Sequence, residues 1–175
     1  MSVEAIEAAI RDVPDFPKPG IVFKDITPVL ADGRLLRAAI DLFATRCREL
    51  RIAKIVAIDA RGFLFGAPVA DRLGLGLVPV RKAGKLPWRT EEIEYELEYG
   101  TSTVAVHTDA FCEGERVVLI DDLLATGGTA AAAVALIRRA GAELVEAQFL
   151  IELAFLKGRE RLAPYPVYAP VVVGV

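Results

Sequence analysis

The segment VVLIDDLLATGGT, residues 117–129, runs from apolar residues through two carboxylates into glycines and threonines. The apolar run predicts a buried strand, and the alanine-rich stretch after it predicts a helix. In an open parallel sheet, ligands bind at the carboxyl ends of the strands, where the next helix presents unpaired N–H groups. The loop between the two elements consists of Ala125, Thr126, Gly127, Gly128 and Thr129. Its glycines allow the backbone to approach a ligand and its threonines add hydroxyl donors, so we predict a phosphate loop at residues 125–129.

Two carboxylates, Asp121 and Asp122, precede this loop and indicate what binds next to the phosphate. They would repel a phosphate, but they are suited to bind the hydroxyl groups of a ribose or to face Mg²⁺. The loop is not a Walker loop, because no lysine precedes its last threonine, and it lacks the G-x-G-x-x-G spacing. The segment therefore indicates a ribose phosphate site. The alternative is an ordinary helix start with acidic neighbours.

Four basic residues follow two other predicted strands. Arg61 lies in the segment DARGF, and Arg81, Lys82 and Lys85 come after the run LVPV. Cations at neighbouring strand ends predict a second anionic group, more highly charged than one phosphate. A solvated basic loop is the alternative for these residues.

An aromatic segment bounded by prolines, FPKPGIVFKD, contains Val22, Phe23 and Lys24. An aromatic ring beside accessible backbone could stack on a planar base. Packing into the core is the alternative explanation for Phe23.

The elements that must position these residues alternate along the chain. Helical spacing of apolar residues predicts helices over residues 2–13 and 33–51, and glycine stops predict further helices that end at Gly74 and Gly141. Short apolar runs predict strands at residues 54–59, 77–80, 116–121 and 144–153, and strict alternation predicts a half-exposed strand from residue 93. Repeated strand–helix–strand units place the chain in the α/β class, with a mostly parallel sheet flanked by helices.

The composition narrows the possible functions. The chain has 175 residues, of which 54% are apolar and 26% charged, so we expect one domain over residues 1–175. The net charge of -3 argues against a nucleic-acid partner. Two distant cysteines and one histidine argue against a disulfide framework or a zinc site. The sequence shows neither a signal peptide nor a membrane segment, and we expect a cytoplasmic protein.

The segment VVLIDDLLATGGT resembles the phosphoribosyl-pyrophosphate signature of the type I phosphoribosyltransferases. The segments DFPKPGIVFKDITPVL, ARGFLFG, VRKAGKLP, YELEYGT and ELAFLKGRERL resemble, within that family, the enzymes that act on adenine. The resemblance covers residues 15–166. It implies a hood over about residues 1–33, a flexible lid over about residues 81–100, and a homodimer.

The resemblance also implies a reaction, in which adenine and 5-phosphoribosyl 1-pyrophosphate give AMP and pyrophosphate, with Mg²⁺ carried mainly by the substrate and not by direct protein ligands. It assigns the 5′-phosphate to residues 125–129, the ribose to Asp121 and Asp122, and the base to Val22, Phe23, Lys24 and Leu153. It assigns the pyrophosphate to Arg61, Arg81, Lys82 and Lys85. Many members of the family have arginine where this chain has Lys24, and a main-chain contact would tolerate that exchange.

Glu98, in the segment LEYG, matches the glutamate that serves these enzymes, and the resemblance implies that it acts as catalytic acid or base together with Arg61. From the residues alone, Glu98 is one of three glutamates on the polar face of a strand. Two other functions stay open: transfer to another base, such as hypoxanthine, guanine, xanthine or uracil, and a regulator that binds phosphoribosyl pyrophosphate without catalysis.

Overall fold

The computed structural model describes residues 2–97 and 100–174. The chain forms two compact units, Met1–Leu42 and Phe43–Val175. Among the described residues, no helix combines the length and the apolar character needed to cross a membrane.

The N-terminal unit contains short helices and a two-stranded hairpin. Its elements are α1 (Val3–Ala9), β1 (Arg11–Pro14), β2 (Val22–Asp25) and α2 (Thr27–Ala31), and α3 (Gly33–Arg48) begins in it. β1 and β2 are antiparallel, with Val13 opposite Phe23. The helix predicted over residues 2–13 is therefore wrong beyond Ala9, because the backbone of Arg11–Pro14 pairs with β2.

The larger unit alternates strands and helices, as the sequence predicts. Its strands are β3 (Lys54–Ile58), β4 (Gly76–Lys82), β5 (Thr90–Glu96), β6 (Thr101–His107), β7 (Arg116–Leu124), β8 (Glu143–Leu153), β9 (Val167–Tyr168) and β10 (Val171–Val173). Its helices are α4 (Arg61–Leu73), α5 (Gly128–Arg139) and α6 (Gly158–Leu162), with a 3₁₀ turn at Ala154–Leu156. Gly74 and Gly141 end α4 and α5 with φ angles of +66° and +86°, which glycine adopts readily.

Within the described residues these strands form one sheet in the order β10-β8-β7-β3-β4-β6-β5, and β9 pairs with β8. The pairs β3–β4, β3–β7, β7–β8, β8–β9 and β8–β10 are parallel. β6 pairs antiparallel with β4 and β5. The predicted mostly parallel α/β sheet is confirmed. The β5–β6 hairpin extends it past the parallel strands.

The buried centre of the sheet is apolar, as its continuous hydrophobic runs predict. Fully buried side chains of the larger unit include Ile55, Leu119, Ile120, Leu136 and Phe149. α4 lies close to the sheet because two of its residues lack a side chain. A Cβ atom on Gly62 would lie 2.8 Å from the Ile120 carbonyl oxygen, and one on Gly66 would lie 2.6 Å from Ala57 Cβ. Both distances are too short for a real Cβ, so these glycines allow the first turns of α4 to reach β7 and β3.

Candidate active site

A cavity of about 740 Å³ lies at the carboxyl ends of β3 and β7. Residues 58–61 and 121–130 line it, together with Glu96, Leu97 and Arg161. Parallel strands end at the same edge of a sheet, so the loops after β3 and β7 meet there, as the sequence predicts. The site unites the predicted phosphate loop, both predicted ribose-binding acids and Arg61.

The phosphate loop, residues 125–129, leads directly into α5. Gly127 precedes the first helical residue with a φ of +83°, a conformation that side chains other than glycine rarely adopt. A Cβ atom on Gly127 would also lie 2.7 Å from the Gly158 carbonyl oxygen. The loop thus turns sharply and leaves the first N–H groups of α5 without partners in the preceding turn, which is the arrangement that binds phosphates.

The two acids near the end of β7, Asp121 and Asp122, have different surroundings. Asp122 is buried, with 4% of its surface exposed, and its Oδ2 accepts a hydrogen bond from Arg61 Nε at 2.5 Å. Asp121 Oδ1 accepts a hydrogen bond from the Asp122 backbone N–H at 2.8 Å. An ion pair with Arg61 holds the Asp122 carboxylate, and a backbone N–H holds that of Asp121. Both carboxylates therefore have defined positions at the cavity wall.

Burial of Asp121 raises the pKa of its carboxyl well above the ordinary value, and the charge of Asp122 raises it further. The Arg61 guanidinium acts in the opposite direction but does not outweigh these effects. Hydroxyl donors or a cation stabilise the charged form of a carboxyl that water solvates poorly. The ribose hydroxyls and Mg²⁺ predicted from the sequence are groups of these two kinds.

Strand β5 contacts the phosphate loop. The hydroxyl oxygens of Tyr95 and Thr129 lie 3.1 Å apart and share a hydrogen bond, and Arg139 Nη1 donates to the Glu92 carbonyl oxygen at 3.0 Å. Both ends of α5 are therefore joined to β5. The alternation predicted for this strand is confirmed for residues 93–96, with Ile93 and Tyr95 half-buried and Glu94 and Glu96 exposed. It fails at Leu97, which follows the end of β5 and is exposed.

The predicted pyrophosphate-binding residues do not all reach the cavity. Arg61 lines it, whereas Arg81, Lys82 and Lys85 are not among its lining residues. Arg81 Nε donates to Asp59 Oδ2 at 2.8 Å, and its Nη1 donates to the Lys85 carbonyl oxygen at 3.1 Å. Arg81 thus contacts the site through Asp59, and Lys82 and Lys85 are exposed.

The predicted base-binding residues lie in both units. Val22, Phe23 and Lys24 belong to β2, where the Phe23 ring packs edge-on against Phe16 at 5.3 Å between centroids. Lys24 Nζ lies 2.5 Å from Asp12 Oδ1, so its ammonium group is engaged by the neighbouring strand. Leu153 is buried at the end of β8. Glu98, the predicted acid or base, lies outside the described residues.

Sequence reasoning assigned no role to Asp59, Glu96 or Arg161, which line the cavity. Asp59 is the first residue of the segment DARGF and directly follows the apolar run of β3, and that position was the available signal. Arg161 lies in the quoted segment ELAFLKGRERL, 32 residues after Thr129, and no local pattern connects the two.

The donor atoms of the cavity suit a hard cation. Asp59, Asp121 and Asp122 supply carboxylate oxygens, and Mg²⁺ commonly binds through one or two carboxylates together with waters and substrate phosphates. Within residues 2–97 and 100–174, no cluster of three or more His, Cys, Asp or Glu side chains is arranged around a metal position. The residues present therefore fit Mg²⁺ that is bound jointly with a phosphorylated ligand.

Comparisons with known proteins agree with this geometry. Residues 27–169 match the model of the phosphoribosyl transferase domain. The chain is 56% identical over 160 residues to an adenine phosphoribosyltransferase of Roseiflexus sp. (strain RS-1), covering 91% of this chain and 93% of the relative.

Solved structures extend the likeness to the fold. The adenine phosphoribosyltransferase of Thermoanaerobacter pseudethanolicus superposes with a TM-score of 0.95 at 50% identity, covering 98% of this chain and 100% of its own. The Saccharomyces cerevisiae enzyme, solved with an imino-altritol bisphosphate and adenine, gives a TM-score of 0.93 at 40% identity over 97% and 98% of the two chains. Sequence, fold and cleft agree, and this chain belongs to the adenine phosphoribosyltransferase family.

Proposed function

We propose that this protein is an enzyme of purine salvage that transfers the phosphoribosyl group of 5-phosphoribosyl 1-pyrophosphate to adenine, giving AMP and pyrophosphate. The observation that carries this function is the cavity that joins residues 125–129 to Asp121, Asp122 and Arg61. One ligand that bears a phosphate, a sugar diol and a second anionic group matches all three features.

The phosphate loop binds the 5′-phosphate and holds the sugar at one end. Its N–H groups and the start of α5 attract the dianion, and Thr126 and Thr129 add hydroxyl donors. Asp121 and Asp122 accept hydrogen bonds from the ribose hydroxyls. The sugar is then fixed at both ends, which sets its reacting carbon toward the base and lowers the entropic part of the barrier.

In the chemical step, the bond between C1 of the ribose and the pyrophosphate oxygen breaks, and its electron pair leaves with pyrophosphate. The lone pair of adenine N9 forms the new bond to C1, and the N9 proton passes to a base. Arg61, at the cavity wall, stabilises the charge that develops on the leaving group. Arg81, Lys82 and Lys85 bind the pyrophosphate after movement of the segment at 81–100.

Glu98 accepts the N9 proton in this proposal, as the resemblance implies. Val22, Phe23, Lys24 and Leu153 bind the base. The segment at 81–100 covers the site during the reaction, because water would otherwise capture the electron-poor sugar carbon. Asp121 and Asp122, together with the substrate phosphates, would hold Mg²⁺, which would supply positive charge against the pyrophosphate. We further propose a homodimer in the cytoplasm.

The test is a parallel assay of the purified protein with phosphoribosyl pyrophosphate, Mg²⁺ and one of five bases: adenine, hypoxanthine, guanine, xanthine or uracil. We expect AMP and pyrophosphate with adenine and no comparable turnover with the others. A preference for another base would overturn the base assignment while keeping the phosphate site. Ligand binding without turnover of any base would instead identify a regulator.

A further inference from the structure

Arg161 lines the cavity from a helix, α6, and not from the loops that follow β3 and β7. It belongs to α6, and its exposed side chain lines the cavity beside the phosphate loop. A Cβ atom on Gly128 would lie 3.5 Å from Arg161 Nη1. The guanidinium is therefore close to the first residue of α5, where the N–H groups that bind phosphate begin.

Three residues of α6 hold it in this position. Gly158 packs against the loop so closely that a Cβ on it would overlap the Ala125 carbonyl oxygen. Arg159 forms an ion pair with Glu152, and its Nη1 donates to the Val167 carbonyl oxygen at 2.7 Å. Leu162 is buried, with 1% of its surface exposed. Arg161 lies between two anchored residues, so its backbone is fixed while its side chain faces the cavity.

Acidic side chains outnumber basic ones in the described lining of the cavity, so a bound phosphate requires additional positive charge. Four carboxylates line the described part of the cavity, at Asp59, Glu96, Asp121 and Asp122, against the two guanidiniums of Arg61 and Arg161. Arg61 is paired with Asp122. Arg161 has no hydrogen-bond or ion-pair partner within the part of the chain that the structure describes. The start of a helix offers only about half a positive charge, which does not balance a phosphate dianion.

We propose that Arg161 binds the 5′-phosphate of the substrate at residues 125–129 and so selects phosphorylated over unphosphorylated ribosides. This inference rests on the proposed function and adds to it a residue that recognises one end of the substrate. A guanidinium donates two parallel hydrogen bonds to phosphate oxygens, which gives the phosphate loop the charge and the geometry that its backbone lacks.

The test measures binding by calorimetry, at fixed ionic strength with Mg²⁺, for the wild type, Arg161→Ala, Arg161→Lys and Arg138→Ala. Arg138 is an exposed cation near the other end of α5 and controls for the loss of one charge. The probes are ribose 5-phosphate, pyrophosphate, AMP and adenosine.

We expect Arg161→Ala to weaken ribose 5-phosphate and AMP by about 10- to 100-fold, the range of one charge-assisted hydrogen-bonded contact. Pyrophosphate and adenosine should change by less than about twofold. Arg161→Lys should recover part of the loss, and Arg138→Ala should match the wild type.

Two results would overturn the role of Arg161: unchanged binding of ribose 5-phosphate to Arg161→Ala, or an equal loss for pyrophosphate and ribose 5-phosphate. Turnover of adenine by the wild type, measured beside these titrations, separates the two proposals. A wild type that binds ribose 5-phosphate through Arg161 but turns over no base would leave this inference intact and refute the proposed transferase.

Discussion

Gly127 meets two requirements that no other residue type meets together. Its φ is +83°, and a Cβ atom there would lie 2.7 Å from the Gly158 carbonyl oxygen. The first requirement is a matter of local backbone energy, and the second is a steric contact between the phosphate loop and α6. The residue therefore fixes both the turn of the loop and its distance from Arg161.

A substitution of Gly127 by alanine should disturb the proposed phosphate site more than the fold. We expect Gly127→Ala to reduce the free energy of unfolding by about 1–3 kcal/mol, the range for a strained backbone position. It should also raise the KM for phosphoribosyl pyrophosphate at least about tenfold, since the loop must shift away from Gly158. Denaturant unfolding and steady-state kinetics measure the two effects.

Gly114 provides the matched control for this change. Its φ is +72°, but a Cβ atom there would meet no other atom within 4 Å, and it lies outside the cavity lining. Gly114→Ala should therefore show only the smaller backbone penalty, with unchanged kinetics. Equal KM values for both variants would contradict the steric role of Gly127.

At the scale of elements, the contact between β5 and α5 links the predicted lid to the phosphate loop. Phosphate oxygens only accept hydrogen bonds, so a bound phosphate requires the Thr129 hydroxyl to donate to it. In the structure the Thr129 hydroxyl donates to the Tyr95 oxygen at 3.1 Å, so this hydrogen bond must reverse and Tyr95 must donate its own proton to Thr129. The resulting relay from Tyr95 through Thr129 to phosphate would couple β5 to an occupied site.

Removal of the Tyr95 hydroxyl tests this relay. We expect Tyr95→Phe to raise the KM for phosphoribosyl pyrophosphate about 3- to 10-fold, the effect of one neutral hydrogen bond. The KM for adenine should stay unchanged in initial-rate kinetics with both substrates varied. Tyr165→Phe is the control, because Tyr165 packs against the core and does not line the cavity. A KM for adenine that rises as much as the other would refute a specific link to phosphate.

The sequence could predict most of the parallel strands and the helix after the phosphate loop. Apolar runs and glycine stops locate the parallel strands and α5, and the carboxyl-end rule then brings Asp121 and Arg61 together. These signals are local in sequence. The strand Arg11–Pro14 was missed because its apolar spacing also suits a helix, and pairing with β2 decides its conformation.

Arg161 was missed for a related reason. Its position depends on the close contact between Gly127 and Gly158, which joins segments that are distant in sequence. Lys82 and Lys85 show the converse case, since their position after a strand predicts a place in the cavity that the structure does not give them. Local pattern identifies which residue types follow a strand, but the course of the loop decides where their side chains go.

At the scale of the larger unit, the two ends of the sheet have different contents. The carboxyl ends of β3 and β7 hold the cavity, with several charged groups available to a ligand. At the start of β3, Lys54 Nζ donates to Glu115 Oε2 at 2.9 Å and to the Ala110 carbonyl oxygen at 2.8 Å. Glu115 also accepts a hydrogen bond from the Cys112 N–H at 3.0 Å, so the charges at this end satisfy one another.

The ion pair between Lys54 and Glu115 makes the free energy of unfolding depend on pH. The pair lies away from the cavity, so we expect activity not to depend on it. The hydrogen bond from Lys54 holds the pKa of Glu115 below its ordinary value, and the Cys112 N–H lowers it further against the opposing effect of burial. A carboxyl with a lowered pKa contributes stability that is complete above its unfolded-state pKa and is lost as the pH falls through the folded-state pKa. The contribution from Glu115 is therefore present at neutral pH and disappears in acid.

Glu115→Gln should thus reduce the free energy of unfolding by about 1–2 kcal/mol at pH 7, near the lower end of the range for a hydrogen bond to a charged group. The difference from the wild type should shrink as the pH falls below the ordinary glutamate pKa, because the wild-type carboxyl becomes neutral as well. Urea unfolding between pH 3 and pH 7 measures it, with the exposed neighbour Glu113→Gln as control. Since the pair lies at the end of the sheet away from the cavity, kcat and both KM values should equal those of the wild type. A difference in stability that stays constant with pH would show that Glu115 acts through packing and not through its charge.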